Sequence, residues 1–261
     1  MSRVHRRPPS PKKRSLPVAE SGAARREPAT RWTPELLQAV AEGERRALSP
    51  FLEGGEAGAT LAAKMAADRA DALVAAALAK EPSDRPIACQ KGCSHCCASK
   101  ITVSAPEVLR LAEWLREHRD EASRAALLDR VRAVDAVAHG KGRAQRALLN
   151  LPCPLLEDGA CSAYEARPLL CRGWSSLDAE ACAAHFRDPG ELPVPRPPGS
   201  SYELASAVLA GLVSAARDSG RDGALLELVA ALRIALERPN AGERWAKGLG
   251  VFAPAREGAE G

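Results

Sequence analysis

Ser104–His118, SAPEVLRLAEWLREH, reads as a helix from its first residue. Ser104 stands at the N-cap with Glu107 three residues later, the capping-box spacing that gives two orphan backbone donors side-chain partners. Val108, Leu111, Ala112 and Leu115 then recur at helical spacing and form one apolar stripe. On the upstream side lies ASKITVS, ending at Ser104, which reads as a short extended strand. Downstream, a second helix is expected over Glu121 to Ala138, stopping before Gly140. Asp120 lies near a short turn between two helices of similar length, so a hairpin is expected that returns the chain to its start.

The same pattern extends outward. Thr33 caps a helix with Pro34 at its first position and Glu35 behind it, running to about Leu48. PFLEGGEAG then reads as a turn, and Thr60 to Lys80 as an Ala/Leu helix stopped by Pro82 and Pro86. Asp178 is expected to cap a short helix carrying Cys182 and His185, and DPGELPVPRPPGS to form a semi-rigid connection. Two further helices are read at Tyr202 to Asp218 and Ala224 to Glu237. With no repeat and no alternation of strands and helices, a doubly wound or barrel fold is disfavoured. The expectation is a mainly α protein: a single helical domain over 31–250, with irregular Cys-rich loops around a metal centre.

Composition sharpens this. The chain of 261 residues is 46% hydrophobic but only 3% aromatic, so the core must rest on Leu, Val and Ala. Nine Lys/Arg and two acidic residues fall before residue 32, which leaves a mildly acidic body. Residues 1–30 are read as a disordered basic tail. It is a solvated extension, with loose contact to nucleic acid or another polyanion as the alternative. Residues 251–261 are read as a flexible end. No run of 18 apolar residues occurs, so no membrane span is expected, and the absence of a signal-peptide pattern makes the cytoplasm the expected compartment.

The cysteines depart from the helical pattern. Cys89, Cys93, Cys96, Cys97, Cys153, Cys161, Cys171 and Cys182 are all the chain has. CQKGCSHCC, residues 89–97, holds four of the eight, and most of the others stand among Pro and Gly between Leu151 and Trp174. Buried structural thiols would scatter through the helices. Thiols concentrated in loops suit a soft or borderline ion, so zinc, iron and a [4Fe–4S] cluster are the candidate cofactors. Adjacent Cys96 and Cys97 point apart in helix or strand, which leaves them serving different ions or one of them acting as a redox thiol. His95 is a ligand candidate or a polar loop residue. His185, three residues beyond Cys182 on the same helix face, is a weaker one.

The two runs CQKGCSHCC and CPLLEDGACSAYEARPLLCRGW resemble the YkgJ-like cysteine-cluster family. This is the CxxCxxCC, zinc- or iron-chelating type, with flagellin N-methylase-like relatives. The first motif falls on Cys89, Cys93, Cys96 and Cys97, with three residues rather than two between Cys89 and Cys93. The second falls on Cys153, Pro154, Cys161, Tyr164, Arg167, Pro168, Cys171 and Arg172. The resemblance implies metal chelation by the seven cysteines of the motif and no settled reaction. Arg167 and Arg172 would offset thiolate charge and donate to sulfur, or form surface ion pairs. Tyr164 would supply a phenolic hydrogen bond, or pack.

Three function classes stay open at this point. One is a metal-binding module. Another is an iron–sulfur enzyme using S-adenosylmethionine, because Cys89, Cys93 and Cys96 share the three-cysteine spacing of that class; the resemblance, through some relatives, implies a protein N-methylase as its example. The third is a redox or metal-delivery protein using Cys97 or Cys182. No P-loop, dinucleotide-binding glycine turn or nucleophile elbow is present.

Overall fold

The computed structural model describes residues 32–80, 86–90, 92–188 and 201–258. The basic tail and the Pro-rich connection lie outside them. Ten α-helices occur among the described residues: α1 Pro34–Leu52, α2 Gly55–Lys80, α3 Ala105–His118, α4 Glu121–Ala138, α5 Arg143–Leu149, α6 Leu169–Gly173, α7 Ala179–Arg187, α8 Ser201–Asp218, α9 Leu228–Glu237 and α10 Ala241–Ala246. Two antiparallel pairs complete them: β1 Thr102–Val103 with β4 Leu226–Glu227, and β2 Leu156–Glu157 with β3 Ala160–Cys161. The fold is mainly α, as the periodicity requires.

The core is built from small and branched side chains. Helix α8 buries Leu204, Ala205, Val208, Leu209, Leu212, Val213, Ala215 and Ala216, nearly its whole circumference, as a central helix must. It lies along α1 and against α2 and α6. Helix α2 turns Ala59, Ala62, Ala63, Ala66 and Ala70 inward, and methyl-sized contacts let its neighbours approach closely. Gly173, in α6, is one point where nothing larger fits: a Cβ there would stand 2.6 Å from Ala205 Cβ and 2.9 Å from Ser201 O.

Several boundaries differ from the sequence reading. Helix α1 continues through Pro50 to Leu52, so only Glu53 and Gly54 remain of the expected turn. Pro50 removes one hydrogen bond near the helix end, while Leu48 and Leu52 are both fully buried and hold that end in the core. Helix α9 begins at Leu228, not Ala224, because Leu226 and Glu227 pair with Val103 and Thr102. Glu227 then caps α9 by accepting from Ala230 N at 2.8 Å. Helices α3 and α4 do not pair tightly as a hairpin. Each packs instead on α9, whose Leu228, Val229, Leu232 and Ile234 are buried. Arg119 and Asp120 are both extended and part the two helices.

Residues 251–258, expected as a loose end, pack on the body. Phe252 is buried, Arg256 bridges Leu226, and Glu257 N donates to Leu225 O. The Glu257 carboxylate meets buried Lys100 at 2.9 Å and accepts from Thr102 Oγ1 at 2.9 Å. This clasp fixes β1, the strand that leaves the first cysteine run. No helix among the described residues is long and apolar enough to cross a membrane.

Candidate metal centre

Local structure brings the two cysteine runs together. The first enters beside the segment before α7: Ala88 N donates to Ser176 O at 2.8 Å, and Ser176 N donates to Cys89 Sγ at 3.2 Å. Residues His95–Ala98 form one 3₁₀ turn that carries Cys96 and Cys97. The second run then docks on the first, with Cys153 N donating to Cys97 O at 2.8 Å.

Cys161 is presented by a hairpin that the sequence reading left as loop. Asp158 and Gly159 both have positive φ, 49° and 75°, the requirement of a two-residue type I′ turn, and the Asp-Gly pair is its usual carrier. Glu157 at its base is gripped by Arg119 at 2.6 Å and by Arg130. Cys171 lies in α6, whose first residue is tied down by a buried carboxylate. Glu107 Oε1 accepts from Leu169 N at 2.8 Å, while Oε2 accepts from Ser104 N and Ser104 Oγ at 2.7 Å each. The expected capping box of Ser104 and Glu107 is thus present, and Glu107 also takes the Ser104 hydroxyl. Burial pushes the Glu107 carboxyl up, against the Leu169 and Ser104 donors.

All eight cysteines are free thiols. Cys97, Cys153, Cys161 and Cys171 lie in one another's electrostatic field. Burial pushes Cys171 well up, and negative charge at Cys153, Cys97 and Cys161 adds to it. Cys153 is pushed up to about 12 by burial, against the Leu155 N–H and with Cys97 and Cys161 reinforcing the rise. Burial also raises Cys161, opposed by the Ala163 N–H, and the nearby Arg167 charge lowers it. Cys96 and Cys97 act on each other as adjacent thiols, an interaction that drives Cys96 upward and lowers Cys97. Cys96 joins this group to the rest, through Cys171 on one side and Cys89 on the other. Cys89 is raised by burial, against the Ser176 N–H, and the nearby Cys93 and Cys182 add to the rise.

The other expected residues divide. Arg167 stacks on Tyr164, with its guanidinium carbon 3.9 Å from the ring centroid, and acts on Cys161 through charge. Tyr164 is exposed and serves as that platform. Arg172 donates to Asp71 Oδ2 at 2.5 Å, Glu165 O at 2.5 Å and Arg167 O at 2.9 Å, and none of its hydrogen bonds goes to sulfur. It ties the second run to α2. His95 lies in the 3₁₀ turn, half-buried. His185 is buried on α7 beside Phe186, with Cys182 one turn before it.

Sequence reasoning missed Arg146. It is 2% exposed on α5 and donates through Nη2 to Leu151 O at 2.9 Å, while its Nε and Nη1 have no hydrogen-bond partner. Burial lowers its guanidinium, and the Glu227 and Cys153 charges oppose that. Nothing in its sequence neighbourhood marks it, because the short helix that buries it carries no strong periodicity.

The donor chemistry suits zinc or iron, for four thiols share one neighbourhood on loops and short elements held to the helical body. Among the described residues no group of three or more His, Cys, Asp or Glu side chains stands as an ion would require. Closure on an ion needs the thiols to lose protons and draw in to metal–sulfur distances of about 2.3 Å. The only strands among the described residues are two-residue antiparallel pairs, so the parallel barrel that the S-adenosylmethionine reading needs is not among them.

Comparison with known proteins agrees with the chemistry. Residues 88–185 match the family model CxxCxxCC, described as "Putative zinc- or iron-chelating domain". No curated protein and no solved structure matches the chain. The matched span opens one residue before Cys89 and closes on His185, so the match to the CxxCxxCC family model takes in all eight thiols.

Proposed function

We propose that this domain chelates a zinc or iron ion through cysteine thiolates, with Cys97, Cys153, Cys161 and Cys171 as the inner set. Cys96, Cys89 and Cys93 continue the cluster outward. The observation that supports this most is the docking of the second run on the first through Cys153 N and Cys97 O, which puts four thiols from distant parts of the chain in one electrostatic neighbourhood. A bound ion would supply the positive charge that turns these thiols into thiolates and cross-links the loops. Arg167, steadied by Tyr164, would offset thiolate charge at Cys161, and Arg172 would hold the loop that carries both.

The test is elemental analysis and a visible spectrum on full-length protein purified without oxygen. Stoichiometric zinc or iron, lost on Cys→Ser substitution at each inner position, is expected. Full occupancy in all four variants would end the proposal. A redox or iron–sulfur centre is the second reading. It rests on the spare adjacent thiol at Cys97, lowered by its neighbour Cys96 against its own burial. Broad visible absorption with acid-labile sulfide would support it, and a colourless zinc protein would remove it.

A further inference from the structure

We propose that Glu107 is a positioning residue of the metal centre: its buried carboxylate ties the start of α6, and with it Cys171, to the frame that carries the first cysteine run. The inference rests on the metal-chelating reading above and adds a residue that neither cysteine motif contains.

Glu107 is 5% exposed on α3, and its two oxygens serve different parts of the chain. Oε2 accepts from Ser104 N and Ser104 Oγ, where β1 passes into α3, at 2.7 Å each. Oε1 accepts from Leu169 N at 2.8 Å, 62 positions further on. The Ser104 side is fixed independently. There β1 pairs with β4, Leu228 N donates to Ile101 O at 3.0 Å, and Glu257 holds Lys100 and Thr102. The Leu169 side has less to hold it. Helix α6 has five residues, a length that does not keep itself helical in water, and Cys171 is the third of them. Buried Leu169 and Leu170 attach α6 to the core, but apolar contact is non-directional. Near its end Arg172 reaches Asp71, a half-exposed carboxylate, and such surface pairs fasten loosely. The bond from Leu169 N to Glu107 is the buried, directional tie at the start of α6. Solvent cannot replace it, because the gap between Glu107, Leu169 and Ala63 and Ala67 of α2 has no room for a water molecule. One carboxylate therefore carries the placement of β1 and α3 across to the helix that presents Cys171.

The test uses full-length wild type, Glu107→Gln and Ser104→Ala. Glutamine keeps the size of the side chain, but one of its two terminal atoms is a donor, so it can accept on one side only and the tie is broken. Ser104→Ala removes a hydroxyl from the same corner and leaves both backbone ties in place. Two quantities are measured: the rate at which iodoacetamide labels Cys171 in metal-free protein, relative to buried Cys182 on α7, and the affinity for Zn(II) by competition with a chromophoric chelator. Glu107→Gln should raise the labelling of Cys171 against Cys182 and weaken zinc binding by about 10- to 100-fold, the usual effect of removing a group that supports metal ligands. Ser104→Ala should move neither. A merely structural role for Glu107 predicts a lower melting temperature with wild-type affinity, or labelling that rises equally at Cys171 and Cys182, and either result overturns the proposal. Should Glu107→Gln fail to fold, hydrogen exchange of Leu169 N–H in metal-free wild type decides. Exchange as slow as in α8 supports the tie, and exchange much faster than in α8 overturns it. Wild-type protein that takes up neither zinc nor iron would defeat the chelation reading instead, while the labelling of Cys171, made without metal, still decides the tie.

Discussion

Helix α8 and the cysteine loops bury similar kinds of chain by different means. Along α8, Val208, Leu212 and Ala215 are fully enclosed, and the helix meets α1 and α2 through interlocking apolar faces. Trp245 on α10 is also fully enclosed, and its one polar atom is satisfied by Asp222 O at 2.9 Å. Between Cys89 and Cys171 the fastening is polar: Cys153 to Cys97, Ser176 to Cys89, Glu107 to Leu169, Arg119 to Glu157. What is buried there includes thiols that keep their protons and an arginine with two idle donors. The helical side is finished when it folds. The loop side keeps thiols and guanidinium donors that its own fold does not pair, and chelation, as proposed above, would complete it.

The sharpest way to break that contrast is to delete one inner thiol. Cys153→Ser, Cys161→Ser or Cys171→Ser should lose bound metal, and the stabilisation by several kcal/mol that metal adds to folding, leaving the metal-free melting temperature almost unmoved. Chelation of the wild type should do the same and expose residues 151–173 to protease before α8 or α9. Trp245→Ala tests the other side: a loss of about 3–5 kcal/mol in both the loaded and the metal-free states is expected, with metal content per folded molecule unchanged. A change in metal stoichiometry there would show that the two regions are not separable.

Acidity sharpens the comparison further. Cys153 and Cys171 hold their protons above the ordinary thiol range. In the metal-free protein the unfolded chain releases those protons from about pH 8.5, while the folded chain retains them. Stability contributed by these groups is therefore complete below that pH and declines as pH rises towards about 12, where the folded Cys153 thiol titrates. The slope cannot exceed about 1.4 kcal/mol per pH unit for each thiol. Metal-loaded protein has no such protons to lose, so melting temperature between pH 7.5 and 10.5 should fall only after chelation. Gly173→Ala probes the seam. A Cβ 2.6 Å from Ala205 Cβ must push α6 away from α8, at about 1–3 kcal/mol, and because Cys171 rides on α6 the metal affinity should fall with it. The smallest effect belongs to Asp120→Ala, which removes the cap on Ser123 N; about 1 kcal/mol is expected, with no effect on metal.

Sequence reading reached the helices with strong periodicity and the thiols with strong spacing. The stripe from Val108 to Leu115 is buried as expected, and ASKITVS contains β1. The cysteine runs, separated by two long helices and α5, do meet. What escaped has a common cause: it depends on partners far along the chain. The start of α9 is set by a strand pairing with residues more than a hundred positions earlier. The persistence of α1 past Pro50 is set by the burial of Leu52. Asp158-Gly159 was a local signal for a hairpin, but its flanks are too short and mixed to read as strands. Arg172 looked like a sulfur partner from adjacency alone, and only the position of Asp71 on α2 redirects it. Arg146 carries no signal at all until its burial is seen.

The clasp of Glu257 on Lys100 and Thr102 has a consequence for how the protein is made. A ribosome releases the chain from its amino terminus, and folding begins before synthesis ends. Every cysteine emerges ahead of α8, of α9 and of the carboxylate that fixes the strand leaving the first cysteine run. Through that interval the thiols are present without the helices that seat them, open to any ion or oxidant that arrives. Arrival of residues 201–257 is what gives them fixed neighbours, so the order of synthesis makes thiol protection the early task in biogenesis and assembly of the metal centre the late one.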